Sequence, residues 1–328
     1  MGLIGNLYKG VCELSPWIEV SLRHIYWRNV KTLKKFSPNK HKGVHTIEGA
    51  PVQHVDFEKV LQWLRDKGIG EGSLLLIHSS YDGLSATGLS PEEMVDKLLE
   101  LVGKTGTLCM PVIRKFKGEP KAEDLLTTNN DDFVYTYNVK KTVVTSGMLP
   151  WALMHHPDAM ISHHPLNPLC AVGPLAKDMM AHNLDGDHPA PHGPNSSWKF
   201  CVDHGAKICW LGTDAGHHNT ISHVCEEAYG DWRWPDEEWF HIRKFKIIDE
   251  DKNEIYKEVY ERKPEWGMLR IAEQYWSQKT TDKNIMQLDM IDNIIQVGYM
   301  DATQYMESRR SSKYYKKGIP YYKFFFEK

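Results

Sequence analysis

The sequence predicts an α/β fold with a mixed, partly parallel central sheet flanked by helices and an added antiparallel hairpin region toward the C-terminus. Three observations predict it. A strand-length apolar run, a capped amphipathic helix and a second apolar run follow one another within about forty residues, the pattern of a βαβ unit. Apolar runs then keep alternating with helical patterns as far as Tyr229. Beyond Pro235 two runs of alternating polarity take over, with the period of antiparallel strands.

In order, FEKVLQWLRDKG places Phe57, Val60, Leu61 and Leu64 at helical spacing and stops at Gly68. SLLLIH at 73–78 has the length of a buried strand, and the polar SSYDG after it reads as a loop at the strand's carboxyl end, where α/β sheets bind ligands. Ser90, Pro91 and Glu93 make an N-cap, an N1 proline and a capping box. MVDKLLELVG carries that helix to Gly103, and GTLCMPVI at 106–113 is the second strand. Helices are expected over 146–156, 174–182 and Thr220–Tyr229, with strands at 169–173 and 207–212. HIRKFKIID and EIYKEVYER, separated by EDKN, predict the hairpin; a helix near 267–277 and a basic, tyrosine-rich tail from Arg309 complete the chain.

Residues 1–55 differ in texture, with Trp17, His24, Tyr26, Trp27, Arg28 and Lys31 but no catalytic-looking cluster, and read as an appendage to one domain over 56–328. Such a basic, aromatic stretch can touch a membrane surface peripherally, grip an acidic partner, or pack on its own domain or a second subunit of a homo-oligomer.

At 328 residues, with 41% hydrophobic and 25% charged, the chain can bury a large core without disulfides or metals as staples. A net charge of -3 provides none of the one-signed field that nucleic-acid binding uses. The six cysteines form no C-x-x-C pair, so reduced, buried thiols are expected and a zinc ribbon is not. MGLIGNLYKGVCELSP lacks the charge and apolar run of a signal peptide, and no run approaches membrane-spanning length, so a cytoplasmic location is expected.

Three constellations carry chemistry-bearing residues. His78-Ser79-Ser80 ends a strand, where hydroxyls and free amides can hold a carbonyl or phosphate oxygen, although locally satisfied serines are the plainer reading. Asn219-Thr220-Ile221-Ser222-His223-Val224-Cys225-Glu226 follows a glycine-bearing loop. There the i,i+3 spacing lets Glu226 fix the tautomer of His223, or make only a surface contact worth a few tenths of a kcal/mol. A histidine-rich centre includes His155, His156, His163, His164, His182, His188, His192, His217, His218 and His223. Histidine serves as base or as metal ligand, but no H-E-x-x-H or C/H zinc spacing occurs, and no metal is expected.

Six ordered segments resemble the aminoglycoside 3-N-acetyltransferase, or antibiotic N-acetyltransferase, family. They are HSSYDGL at 78–84, MVDKLLELVGKTGTLCMP at 94–111, SGMLPWALMHHPDAMISHHP at 146–165, AVGPLAKDMMAHNLD at 171–185, GPNSSWKF at 193–200 and ICWLGTDAGHHNTISHVCEE at 208–227. The resemblance covers roughly residues 57–230. It implies an acyltransferase domain that moves an acetyl group directly from acetyl-CoA to an amine of an amino sugar or aminocyclitol. A histidine acts as general base, supported by a glutamate.

By position, His182 of the H-x-L-D stretch is the implied base, and Asn219, Thr220, His223 and Glu226 answer to the N-T-x-x-H-x-x-E motif. Of these, His223 and Glu226 are implied catalytic residues, Thr220 would face the thioester and Asn219 the acceptor. The loop at His78, Ser79, Ser80 and Tyr81 would lie along the pantetheine arm, and His164 and Asn195 would also line the acceptor pocket. Two positions depart from the family pattern: Pro168 replaces a hydroxyl, and Asn195 stands where resistance enzymes carry an acid. These departures lead to the expectation of an amino sugar or sugar nucleotide of cell-surface polysaccharide synthesis as acceptor. The alternatives are an aminoglycoside-modifying resistance enzyme, a metal-dependent deacylase built on the histidines, and a non-enzymatic scaffold.

Overall fold

The computed structural model of the chain describes residues 3–30, 32–33, 54–121, 123–215, 218–267, 269 and 284–318. Two helices, α1 (Leu3–Leu14) and α2 (Pro16–Arg28), lead in. The main body then runs α3 (Phe57–Asp66), β1 (Leu74–Ser79), α4 (Pro91–Val102), β2 (Thr107–Pro111), β3 (Val134–Asn138) and α5 (Met148–Met154). It continues with β4 (Met160–Ile161), β5 (Leu169–Val172), α6 (Ala176–Met180), α7 (Ser197–Asp203), β6 (Lys207–Leu211) and α8 (Val224–Glu227). Strands β7 (Phe240–Ile248), β8 (Glu254–Arg262), β9 (Gln287–Ile291) and β10 (Ile295–Asp301) and helix α9 (Ala302–Ser311) follow.

A seven-stranded sheet has the order β4-β5-β2-β1-β6-β10-β9. Its centre is parallel, β1 pairing with both β2 and β6, and the remaining pairs are antiparallel. The apolar run of β1 explains its central place. Leu75 and Ile77 face the layer that holds Phe57, Leu61 and Leu98, whereas Leu74 and Leu76 face the layer of Trp198, Trp210 and Tyr305. A strand buried on both faces needs apolar residues at every position, and each fully buried leucine contributes about 2 kcal/mol.

The capping box forms as expected: Ser90 Oγ accepts from the Glu93 amide at 3.2 Å while Glu93 accepts from the Ser90 amide at 2.8 Å. The predicted hairpin is β7 and β8, but it does not stand alone. β3 adds to β7 in parallel, making a three-stranded sheet. The α2 face carrying Val20 packs against Trp239, Phe240 and Trp266 of this region, and Trp17 meets Trp266 edge-on at 5.0 Å. Most of the helix expected near 267–277 and the end of the tyrosine-rich tail lie outside the described residues. Among the described residues no helix is long and apolar enough to cross a membrane.

Candidate active site

The loops that leave β1 and β6 are locked to each other through their backbones. A Cβ on Gly83 would fall 2.0 Å from the Gly212 carbonyl oxygen, and Gly212 itself has φ 68°. Only glycine permits this approach, so the HSSYDGL and ICWLG segments meet at one end of the sheet. The Ser80 amide donates to the Leu211 carbonyl at 3.0 Å. That amide is therefore committed to the sheet.

His78 is buried between Trp198 and Trp210, ring centroids 6.1 and 6.0 Å away. Burial, with a smaller push from the charge of His218, lowers its pKa to about 3, so the ring is neutral in all ordinary conditions. His78 Nε2, Ser79 Oγ and Asn219 Oδ1 are buried polar atoms without a hydrogen-bond partner among the described residues. Such orphans are costly; His78 and Ser79 close β1, and Asn219 stands directly before the 3-10 turn Thr220–His223. Tyr81 is turned away, its hydroxyl donating to Leu89 O at 3.1 Å. Thr220 opens a 3-10 turn, Thr220–His223, that runs directly into α8, where one α-helix was expected.

That turn and α8 carry two adjacent carboxylates into the interior. His223 Nδ1 lies 3.0 Å from Glu226 Oε2, as the spacing suggested. Glu227 takes a second histidine, one that no local spacing singles out: Glu227 Oε2 accepts from His192 Nδ1 at 3.0 Å and from the His192 amide at 3.1 Å. Asn167 Nδ2 approaches the other ring nitrogen of His192 at 3.3 Å, so both ring nitrogens have polar neighbours. The two imidazoles lie 5.1 Å apart.

His182 is elsewhere in character. Its side chain is 70% exposed, and Nδ1 lies 2.7 Å from Asp185 Oδ2. Asp185 lines a cleft of about 300 Å³ together with His188, Asn195, Glu227, Asp236 and Tyr260. The cleft thus brings Asn195, Glu227 and the partner of His182 together. Neighbouring Asn183 stiffens this wall, its Nδ2 donating to the carbonyls of Met179 at 2.9 Å and Asn195 at 3.2 Å.

His164 is committed to structure. It is buried, with Nε2 3.1 Å from the Pro189 carbonyl and Nδ1 accepting from the Leu166 amide at 3.2 Å, and burial lowers its pKa to about 4. It ties the His164-Pro165 turn to the cleft wall without lining the cleft. Asn219 donates to Tyr305 Oη at 2.9 Å. Among the described residues no group of three or more His, Cys, Asp or Glu side chains is placed to hold a metal ion.

The chain matches the family model of aminoglycoside 3-N-acetyltransferases over residues 76–291, more than half its length. It is 27% identical over 192 residues to aminoglycoside N(3)-acetyltransferase IX of Micromonospora chalcea, covering 56% of this chain and 65% of that protein. The corresponding enzyme VIII of Streptomyces fradiae is 28% identical over 195 residues, 54% of this chain and 61% of that one. The match thus spans less than two thirds of either relative. Among solved structures, AAC-IIIb in its binary complex with CoASH superposes with a TM-score of 0.62 at 16% identity, covering 78% of this chain and 95% of that one. At that identity the likeness is one of fold. The sequence match over 76–291 carries the assignment, and the chain belongs to the aminoglycoside 3-N-acetyltransferase family.

Proposed function

We propose that the protein is an acetyl-CoA-dependent N-acetyltransferase whose acceptor is a cationic amine of an amino sugar or aminocyclitol. The observation that carries this reading is the cleft in which Asp185, Asp236 and Glu227 converge, with an open histidine, His182, bonded to the first of them. Carboxylates attract an ammonium, and an accessible imidazole can relieve it of its proton.

A general base must reach the group it deprotonates. His192 and His223 are held inside by Glu227 and Glu226, whereas His182 is open at the surface and oriented by Asp185. In the proposed reaction His182 takes the ammonium proton, the amine attacks the thioester carbonyl, the C–N bond forms and the C–S bond breaks. That first proton is released to solvent, and the second, which the nitrogen sheds as the C–N bond forms, passes through His182 to the departing thiolate. Ser79 Oγ and His78 Nε2, which have no hydrogen-bond partner among the described residues, suit the thioester end of acetyl-CoA.

The acid-rich cleft favours an acceptor with more than one ammonium over one carrying a diphosphate, even with Asn195 at the wall. A role in cell-surface polysaccharide synthesis therefore rests on amino sugars rather than on sugar nucleotides. The test is thiol release from acetyl-CoA with a panel of kanamycin-type aminoglycosides, simple amino sugars and nucleotide-linked amino sugars. Turnover with either of the first two classes supports the reading. Failure to bind acetyl-CoA by calorimetry at millimolar concentration, with no turnover, overturns it.

A further inference from the structure

Helix α9 and the turn after it lie beyond the residues that match the family, yet they grip the 219–227 segment from behind. Tyr305 Oη accepts from Asn219, Tyr315 Oη lies 2.6 Å from the Cys225 carbonyl, and Arg309 reaches between them. Arg309 is 5% exposed. Its Nη2 donates to Glu226 Oε1 at 3.2 Å and its Nε points to Cys225 Sγ at 3.1 Å. A buried guanidinium is costly unless its charge is met, and here the Glu226 carboxylate meets it.

The other oxygen of Glu226 serves His223. Oε2 lies 3.0 Å from His223 Nδ1, and Arg262 Nη1 of β8 comes within 3.2 Å of that same nitrogen and 3.9 Å of Oε2. Beyond His223 stand the ring of His192 and, behind it, Glu227. Two carboxylates thus face two guanidiniums and two imidazoles.

We propose that Arg309 is a positioning residue of the active site, its guanidinium fixing the Glu226 carboxylate so that Glu226 can orient His223. A carboxylate bonded only to an imidazole can swing about its own side-chain torsions. One clamped at its far oxygen by a planar, multi-donor group cannot do so freely. The proposal rests on the reading of 219–227 as part of the acyl-transfer site, and its main test needs neither acetyl-CoA nor acceptor.

The test is a long-range ¹H–¹⁵N NMR titration of the His223 ring in the full chain. Removing a buried cation beside a coupled carboxylate and imidazole makes proton uptake by that pair easier. In Arg309→Met and Arg309→Gln the His223 midpoint should therefore rise by about one pH unit or more, and Arg309→Lys should return it to within about half a unit. A midpoint unchanged to within about 0.3 pH unit in either neutral variant that folds overturns the proposal. Should neither fold, Glu226→Gln with Arg309 intact decides. A His223 midpoint lowered by about one unit supports the link, and an unchanged one removes it. Where the wild type turns over, the neutral Arg309 variants should lose kcat with little change in KM for acetyl-CoA. Absence of wild-type turnover would overturn the transferase reading while the titration still reports on Arg309.

Discussion

His192 Nδ1 and Glu227 Oε2 meet at 3.0 Å with 2% and 1% of their side chains exposed, one residue along from the Glu226 that pairs with Arg309. The two neighbouring glutamates are pushed in opposite directions. Burial raises Glu226 despite Arg309 and Arg262, whereas for Glu227 the same burial is outweighed by the charge and hydrogen bond of His192, with His223 and Arg262 adding to it. A carboxyl held below its ordinary value contributes stability that is present above about pH 4.3 and lost as pH falls through its folded value. Glu227→Gln should accordingly cost about 3–5 kcal/mol at pH 7, as expected for a broken buried pair, and the difference from wild type should shrink at pH 3. Urea unfolding at the two pH values checks this; a variant as stable as wild type at pH 7 would show that the pair does not support the fold.

The histidines held neutral by burial give the acid limb its second component. His78, lowered to about 3, and His164, lowered to about 4, resist a proton that the unfolded chain accepts near the ordinary histidine value. Stability should therefore fall as pH drops below about 6.5, by up to about 1.4 kcal/mol per pH unit for each ring, with the His78 effect ending near pH 3. His78→Phe, which keeps an aromatic ring between the two tryptophans, should flatten the slope between pH 6 and 4. An unaltered slope would place the proton uptake elsewhere.

These pairs also mark how far the sequence can be read. The elements with strong local signals came out as expected: the apolar run of β1, the Ser90 capping box, and the i,i+3 contact of His223 with Glu226. What stayed hidden depends on distant residues. His192 and Glu227 are 35 apart, and nothing in either neighbourhood announces the other. β3, with exposed residues alternating along VYTYN, exists because β7 pairs with it. β9 and β10 are short and follow a stretch of weak pattern, so their places at the sheet edge come from pairing with β6 and with each other. Asp185 stands three residues from His182 within the H-x-L-D stretch, but that spacing does not reveal that its side chain also lines a cleft.

Because His182 is exposed and makes its one described side-chain bond to Asp185, its loss should affect chemistry and leave the fold intact. His182→Ala is expected to lower acetyl transfer by about 10²–10⁴-fold, the range for a removed general base, while stability changes by less than about 0.5 kcal/mol. Asp185→Asn should show a smaller loss. Rates measured across pH 6–9, beside thermal unfolding, separate the two effects. If His182→Ala retains full activity, the base lies among the buried pairs.

Gly83 tests whether the meeting of the two loops matters. A methyl group there would collide with the Gly212 carbonyl, and neither backbone can yield without moving the β1 or β6 exit. Gly83→Ala should cost about 1–3 kcal/mol, as overpacking does, and weaken acetyl-CoA binding more than the stability loss alone explains. Calorimetry at a temperature where the variant is fully folded makes the comparison. Unchanged affinity would separate this loop contact from the acyl donor.

Asp236 lines the cleft from the single helical turn Asp236–Trp239 that leads into β7, with Tyr260 of β8 near it. If the cleft selects acceptors by charge, removing this carboxylate should act on binding and spare the chemical step. Asp236→Asn is expected to raise KM for an acceptor with several ammonium groups by about five- to tenfold, equivalent to roughly 1 kcal/mol, with kcat little changed. The same substitution should matter less for an acceptor with a single amine. It should also matter less as salt is raised from 50 to 500 mM, since an exposed charge is screened within about 10 Å at 0.1 M. Equal effects on mono- and polyamine acceptors would mean that Asp236 shapes the wall and does not read charge.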